Sequence, residues 1–197
     1  MRSAAVALTA GAFILLAAAY VALELGPAIE PRQSLPDDVA ELTSSTWLAF
    51  GRAFPSQADC LSDVELELVD DVAGGAADYL VAEHLIRIEI PTSPRRYVES
   101  LTHELAHHLD AVCDGELEIG PAFRVAQGIA ADVPWGRVET WEKRPMEHFA
   151  ETVVEYVTGD RYTHADIMEV SDEALEVVRD WATGTSRVAH RSARSSR

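Results

Sequence analysis

Positive charge is scarce in this chain. Its 197 residues carry 16 Lys and Arg against 33 Asp and Glu, a formal net charge of −17, and Lys143 is the only lysine. A surface that grips phosphate backbones must be basic, so nucleic-acid binding is excluded. The one basic stretch is the end, residues 185–197, where Arg187, Arg191, Arg194 and Arg197 follow Gly184; its composition is that of a solvated, disordered tail. Cysteine is nearly absent: only Cys60 and Cys113 occur. Two thiols leave room for one disulfide at most. Internal repeats are lacking too. Apolar residues are plentiful at 48%, enough for a sizeable core and against wholesale disorder.

Residues 4–23 carry no charge and are rich in Ala, Val, Leu and Phe. About 20 such residues cross a bilayer as a helix. Arg2 precedes them and Glu24 and Glu30 follow, which keeps the start of the chain in the cytoplasm and the bulk outside. The run is apolar all round, which speaks against a surface helix of a soluble domain. The expectation is an uncleaved signal anchor. The alternative is a signal peptide cut near Ala17-Ala18-Ala19, giving a secreted chain. Either way the domain is extracytoplasmic, where Cys60 and Cys113 can form a disulfide; two buried free thiols are the other possibility.

Pro27, Pro31 and Pro36 mark an extended linker, so residues 1–34 are taken as anchor and linker. Asp37 and Asp38 start a helix reaching about Phe54. Val64, Leu66 and Leu68 alternate with Glu65 and Glu67, a period-2 strand with one wet face; Ile86, Ile88 and Ile90 alternate with Arg87 and Glu89 in a second strand. Pro94 opens a helix that Asp114-Gly115 closes. A short helix is expected over 121–131, an irregular stretch over 134–144, a helix from Pro145 to about Thr158, and a last helix over 165–182. Residues 35–184 are a suitable size for one domain of α+β class, a small mixed sheet with several helices.

The helix after Pro94 contains His103-Glu104-Leu105-Ala106-His107. Histidines four apart on a helix share a face, so their imidazoles can hold a single metal ion, usually zinc. Glu104 can reach a water on that metal and take its proton. Leu101, Leu105 and Leu109, with Val98 and Val112, run an apolar stripe beside the pair, which makes the helix half buried. His84, His164 and His190 fall outside any ligand pattern, and His108 points off the 103/107 face. Asp110, one turn beyond His107, is placed to hydrogen-bond a ligand or to cap the helix end.

A catalytic zinc needs a third protein ligand and an open position. The helix after Pro145 offers Glu147 and Glu151 on one face, with Phe149, Val153 and Val157 on a neighbouring, core-facing side. Glu147 is assigned as the third ligand and Glu151 as the carboxylate that holds a ligand imidazole in place. His148 and Glu151 are the rivals for the ligand role. Cys113 is a weaker one. A metzincin spelling, HExxHxxGxxH, would need glycine at Asp110 and histidine at Cys113, so that class is excluded.

HExxH with a downstream glutamate ligand resembles the gluzincin metallopeptidases. More narrowly, residues 103–110 with Glu147-His148-Phe149-Ala150-Glu151 are similar to the HExxHxxD and ExFAE motifs of the anthrax lethal factor catalytic-domain family. The resemblance covers only the two helices. It implies a zincin-like fold, zinc on His103, His107 and Glu147, Glu104 as base and Glu151 in the outer shell. The family also has a tyrosine seven residues before the glutamate ligand, to stabilise the oxyanion. This chain has Thr140 there. Tyr156, Tyr97 and His148 are candidate substitutes.

The expected function is hydrolysis of a peptide or protein substrate by one zinc ion, with the strand at 85–90 as the edge on which an extended substrate lies. Two alternatives stand beside it: a zinc-binding domain without catalysis, and a secreted helical interaction module in which HExxH is accidental.

Overall fold

The computed structural model describes residues 27–72, 75–90, 93–136, 140–160 and 168–185. The uncharged segment at 4–23, expected to be a signal anchor or a cleaved signal, residues 186–197 of the basic tail, His164 and His190 lie outside the described residues. Among the described residues no helix is long and apolar enough to cross a membrane.

Alternation builds a four-stranded mixed sheet: β1 (Ile29–Pro31), β2 (Val64–Val69), β3 (Ala77–Leu80) and β4 (Leu85–Glu89), in the order β1-β2-β4-β3. Val64, Leu66, Ile86 and Ile88 are at most 1% exposed, while Glu65, Glu67 and Arg87 between them stay half-exposed. β2 pairs parallel with β1 and β4, with Leu66 opposite Ile86 and Leu68 opposite Ile88. β3 returns antiparallel to β4, and its Asp78 lies opposite Arg87 and accepts two hydrogen bonds from the guanidinium.

Two expectations are corrected here. Residues 29–31, taken as linker, are an edge strand of the sheet. β4, taken as the substrate edge, is an interior strand with neighbours on both sides, and β3 is the edge instead. The alternation also stops early: β4 ends at Glu89, and Ile90 is 64% exposed.

Among the described residues six helices accompany the sheet: α1 (Asp37–Ala53), α2 (Pro94–Val112), α3 (Gly115–Glu118), α4 (Gly120–Ala126), α5 (Pro145–Thr158) and α6 (Asp172–Thr183). The start of α6 differs from the expected 165–182 helix, and residues 161–167 lie outside the described part. α2 is the central element, in contact with α1, α5, β3 and β4. The Ser93 hydroxyl accepts from the Arg96 amide at its start, with Pro94 at the first helical position. Asp114, at φ 51°, turns the chain out of the helix at its end. Tyr97, Leu101, Leu105 and Leu109 form its fully buried stripe.

α5 is set by an aromatic cluster. Phe149 meets Phe123 and Trp181 edge-on, with ring centroids 5.8 and 6.0 Å apart, and Trp181 continues to Phe54. Such pairs contribute about 0.5–1.5 kcal/mol each beyond burial. α5 is thereby anchored through Phe149 and Val153 and presents Glu147 and Glu151 toward α2.

Cys60 and Cys113 form a disulfide, with 5.3 Å between their Cα atoms and 53 residues of separation. It ties the end of α2 to the loop that follows α1 and removes Cys113 from the list of metal ligands. In the chain-entropy account, closing so long a loop stabilises by about 4 kcal/mol. A Cys60→Ser, Cys113→Ser double variant should therefore lose about 2–4 kcal/mol of stability, read as a lower urea midpoint, with a steeper slope because the unfolded chain is less compact. An unchanged midpoint would show that the bridge does not stabilise the fold.

Candidate metal centre

The helical spacing of α2 sets His103 and His107 one turn apart, ring centroids 4.8 Å from each other. Glu147 reaches them from the first turn of α5. The His103 Nε2 and His107 Nε2 atoms are 3.2 Å apart, and Glu147 Oε2 lies 3.2 Å from the first and 3.3 Å from the second. Three donor atoms thus form a nearly equilateral triangle. All three residues are buried, and together they could hold a metal ion.

The triangle is supported from behind. Glu151 Oε1 lies 3.2 Å from His103 Nδ1, the ring nitrogen turned away from the triangle. Glu147 and Glu151, one turn apart on α5, therefore grip the two nitrogens of one imidazole. A proton kept on Nδ1, on the Glu151 side, would leave Nε2 as the atom that a metal ion takes once it displaces the other proton. The Trp141 ring stacks over His103, centroids 6.3 Å apart and planes 26° apart. His148, a rival ligand, faces elsewhere: its Nε2 donates to the Glu142 carbonyl and its Nδ1 meets the Gln127 amide.

The electrostatics favour a cation. Burial alone would make His103 a weaker base, but its hydrogen bonds to Glu147 and Glu151 outweigh that and raise its pKa to about 10. Burial would raise the Glu147 carboxyl, yet the two imidazoles hold it well below the usual carboxylate range. A site that binds a proton so firmly between two imidazoles and a carboxylate offers the same negative potential to a metal ion.

The triangle opens onto a cleft of about 600 Å³. α2 forms its floor, with Arg96, Ser100, His103, Glu104 and His107, and the 75–81 segment containing β3 forms one wall. Glu104 is 6% exposed, and burial pushes its carboxyl above the ordinary range, which makes it a stronger base.

Asp110 also lines the cleft, but its Oδ2 accepts the Trp135 indole N–H at 2.6 Å. Its Oδ1 and the His107 Nδ1 are buried without a hydrogen-bond partner among the described residues. Asp110 packs against the start of α3, where a Cβ on Gly115 would fall 2.5 Å from Oδ1; only glycine allows that approach. The contact Asp110 makes is thus at the end of α2 and not on a histidine.

The three candidate substitutes for the absent tyrosine are corrected. The Tyr97 hydroxyl is fully buried against Thr43 Oγ1 at 2.6 Å, the Tyr156 hydroxyl donates to the Ala53 carbonyl, and His148 is engaged as described. None of them lines the cleft.

Sequence reasoning missed one polar unit beside the site. Tyr79, on β3, lines the cleft, and its hydroxyl meets His108 Nδ1 at 2.9 Å, while His108 Nε2 meets the Ser62 carbonyl at 3.0 Å. A carbonyl only accepts, so Nε2 donates to it and Nδ1 accepts a hydrogen bond from the Tyr79 hydroxyl. The pair links the edge strand to α2, a contact no local pattern announces.

Burial raises the Tyr79 hydroxyl from 10.0 to about 12. The folded value is the higher one, so this contribution to stability is complete below pH 10 and is lost as pH climbs toward 12. The urea midpoint should fall across that window, and Tyr79→Phe should flatten the fall. Parallel curves for the two proteins would refute it.

Comparison with protein-family models, with curated proteins and with solved structures finds no match to this chain.

Proposed function

We propose that this chain is a zinc-dependent peptidase of gluzincin type with a zincin-like fold, acting outside the cytoplasm. The observation that carries this reading is the triangle of His103 Nε2, His107 Nε2 and Glu147 Oε2, with sides of 3.2–3.3 Å. Tetrahedral zinc, with bonds of about 2.0–2.1 Å, spaces neighbouring ligand atoms by about 3.3 Å, so the donor set fits it in number, kind and spread. Zinc bound there would polarise a peptide carbonyl and bring the pKa of a coordinated water to about 7.

The chain's own residues supply the rest. Glu104 takes a proton from the attacking water and returns it to the departing amine. Glu151 fixes the His103 tautomer and ring angle. β3, as the edge strand above α2, offers backbone groups on which an extended substrate can pair, which replaces the role expected of β4. Likeness to the anthrax lethal factor catalytic domain rests on the two helices and their motifs. Export rests on the disulfide and on the uncharged segment at 4–23, as a signal anchor or a cleaved signal.

One specific observation favours a second reading, a zinc-binding domain without catalysis. Thr140 stands where the family has its tyrosine, and Tyr97, Tyr156 and His148 are committed elsewhere. An interaction module with an accidental HExxH is disfavoured by the convergence of a third donor on the histidine pair.

Metal analysis of the purified chain, followed by incubation with a broad peptide mixture, separates the three. One zinc per chain with cleavage supports the peptidase. Zinc without cleavage supports the binding domain, and no metal supports the module.

A further inference from the structure

We propose that Arg96 reads an acidic side chain of the substrate, about three residues from the bond that is cut. The inference rests on the peptidase reading of the site and adds a substrate class to it.

Arg96 lies seven residues before His103, so it stands on the same face of α2, two turns nearer the start. The cleft floor runs along that face through Arg96, Ser100, His103 and His107. At the Arg96 end the cleft meets a side cavity of about 160 Å³, and Ala76, Arg96 and Ser100 line both. Ile88 and Ile90 give the side cavity apolar walls. Its one carboxylate, Glu89, uses Oε1 to accept the Val72 amide. A recess with partly apolar walls and a cation at its mouth fits a short methylene stem that ends in a carboxylate held at the Arg96 end, which is glutamate, with aspartate as the shorter fit.

Two neighbouring arginines are neutralised, and a third, Arg144, stands at the metal end of the cleft beside Glu147. Arg87 is held by Asp78, Arg95 by Glu99 at 2.8 Å, and Arg144 has Glu147 at 3.8 Å. Arg96 forms no ion pair among the described residues and is solvent-exposed. In a chain of net charge −17 such a cation, on the floor of the candidate site, is available to a ligand.

The helix rise sets the distance. Seven residues of helix advance about 10.5 Å, and an extended peptide advances about 3.3 Å per residue. A substrate lying along the floor therefore places the side chain of a residue about three positions from the reacting carbonyl next to Arg96.

The test uses the full chain loaded with zinc and a synthetic mixture of random decapeptides, with cut sites read by mass spectrometry. The expected profile is enriched in Glu, then Asp, at one position about three residues from the cut. A peptide pair that differs only by Glu or Gln at that position should then be bound by the Glu104→Gln variant with about five- to tenfold different Kd, favouring Glu. Arg96→Ala should bring that ratio to about one, and Arg96→Glu should invert it in favour of the Gln peptide and bind a Lys peptide tighter still. Because Arg96 is exposed, both variants should keep the parent's melting curve. Cleavage without acidic enrichment, or an unchanged Glu-to-Gln ratio in Arg96→Ala, overturns this inference and leaves the peptidase reading standing. No cleavage of any peptide overturns both.

Discussion

Glu104→Gln should abolish peptide cleavage and leave one metal ion per chain. Glutamine keeps the shape and burial of the side chain but cannot take a proton at neutral pH. Glu104 sits next to His103 in sequence, faces the cleft with the metal triangle and is made more basic by burial. A well-placed general base contributes about 10²–10⁴ in rate, so a loss of about a thousandfold in kcat/KM is expected, with KM little changed. Three measurements are needed: metal content, kcat and KM on a peptide that the parent cuts. If the variant holds zinc and cuts as well as the parent, Glu104 is not the base and the mechanism is wrong. If it loses the metal, Glu104 acts on the site itself and not on a water.

Glu147→Ala should empty the metal site. Removing the carboxylate leaves two buried imidazoles and an open side, too few donors for a tight site. The parent, saturated at about a thousand times its Kd, should gain roughly 4 kcal/mol from the ion. A chelator should therefore lower the parent's melting temperature by several degrees and leave that of Glu147→Ala where it was. Glu151→Ala gives the contrast. The Glu151 carboxylate lies against His103 Nδ1 and not in the donor triangle, so metal should remain, with affinity down by about 10–100-fold. Full zinc content in Glu147→Ala would show that another residue completes the site, and the geometric basis of the function would be gone.

Much of the scaffold was legible because its causes are local. A helix from Pro145 to Thr158 is announced by proline at its first position and by the glycine that follows, Gly159, at φ 72°. The strand around Leu66 is announced by strict alternation. β1 and β3 were not legible. β1 has three residues and one of them is Pro31, while β3 holds Asp78 and Ala77, residues that disfavour strands. Both exist because a longer neighbour supplies their hydrogen bonds and, for β3, because Arg87 neutralises Asp78 across the pair. The substrate edge was misplaced for the same reason: strand order is a property of the sheet, and β4 has the more regular pattern although β3 is the outer strand.

The amino-acid sequence by itself determined which side chains share a face: His103 with His107, Glu147 with Glu151, Arg96 two turns before the histidines. Helical periodicity decides that within a few residues. Only the tertiary structure decided which faces meet. Packing of Phe149 against Phe123 and Trp181 carries Glu147 to within 3.3 Å of both imidazoles, while Tyr97, Tyr156 and His148 are turned out of the cleft by their own partners, Thr43, Ala53 and Glu142. Those outcomes depend on contacts between different elements, such as Phe149 with Trp181 and the Tyr156 hydroxyl with the Ala53 carbonyl, where no local spacing rule reaches.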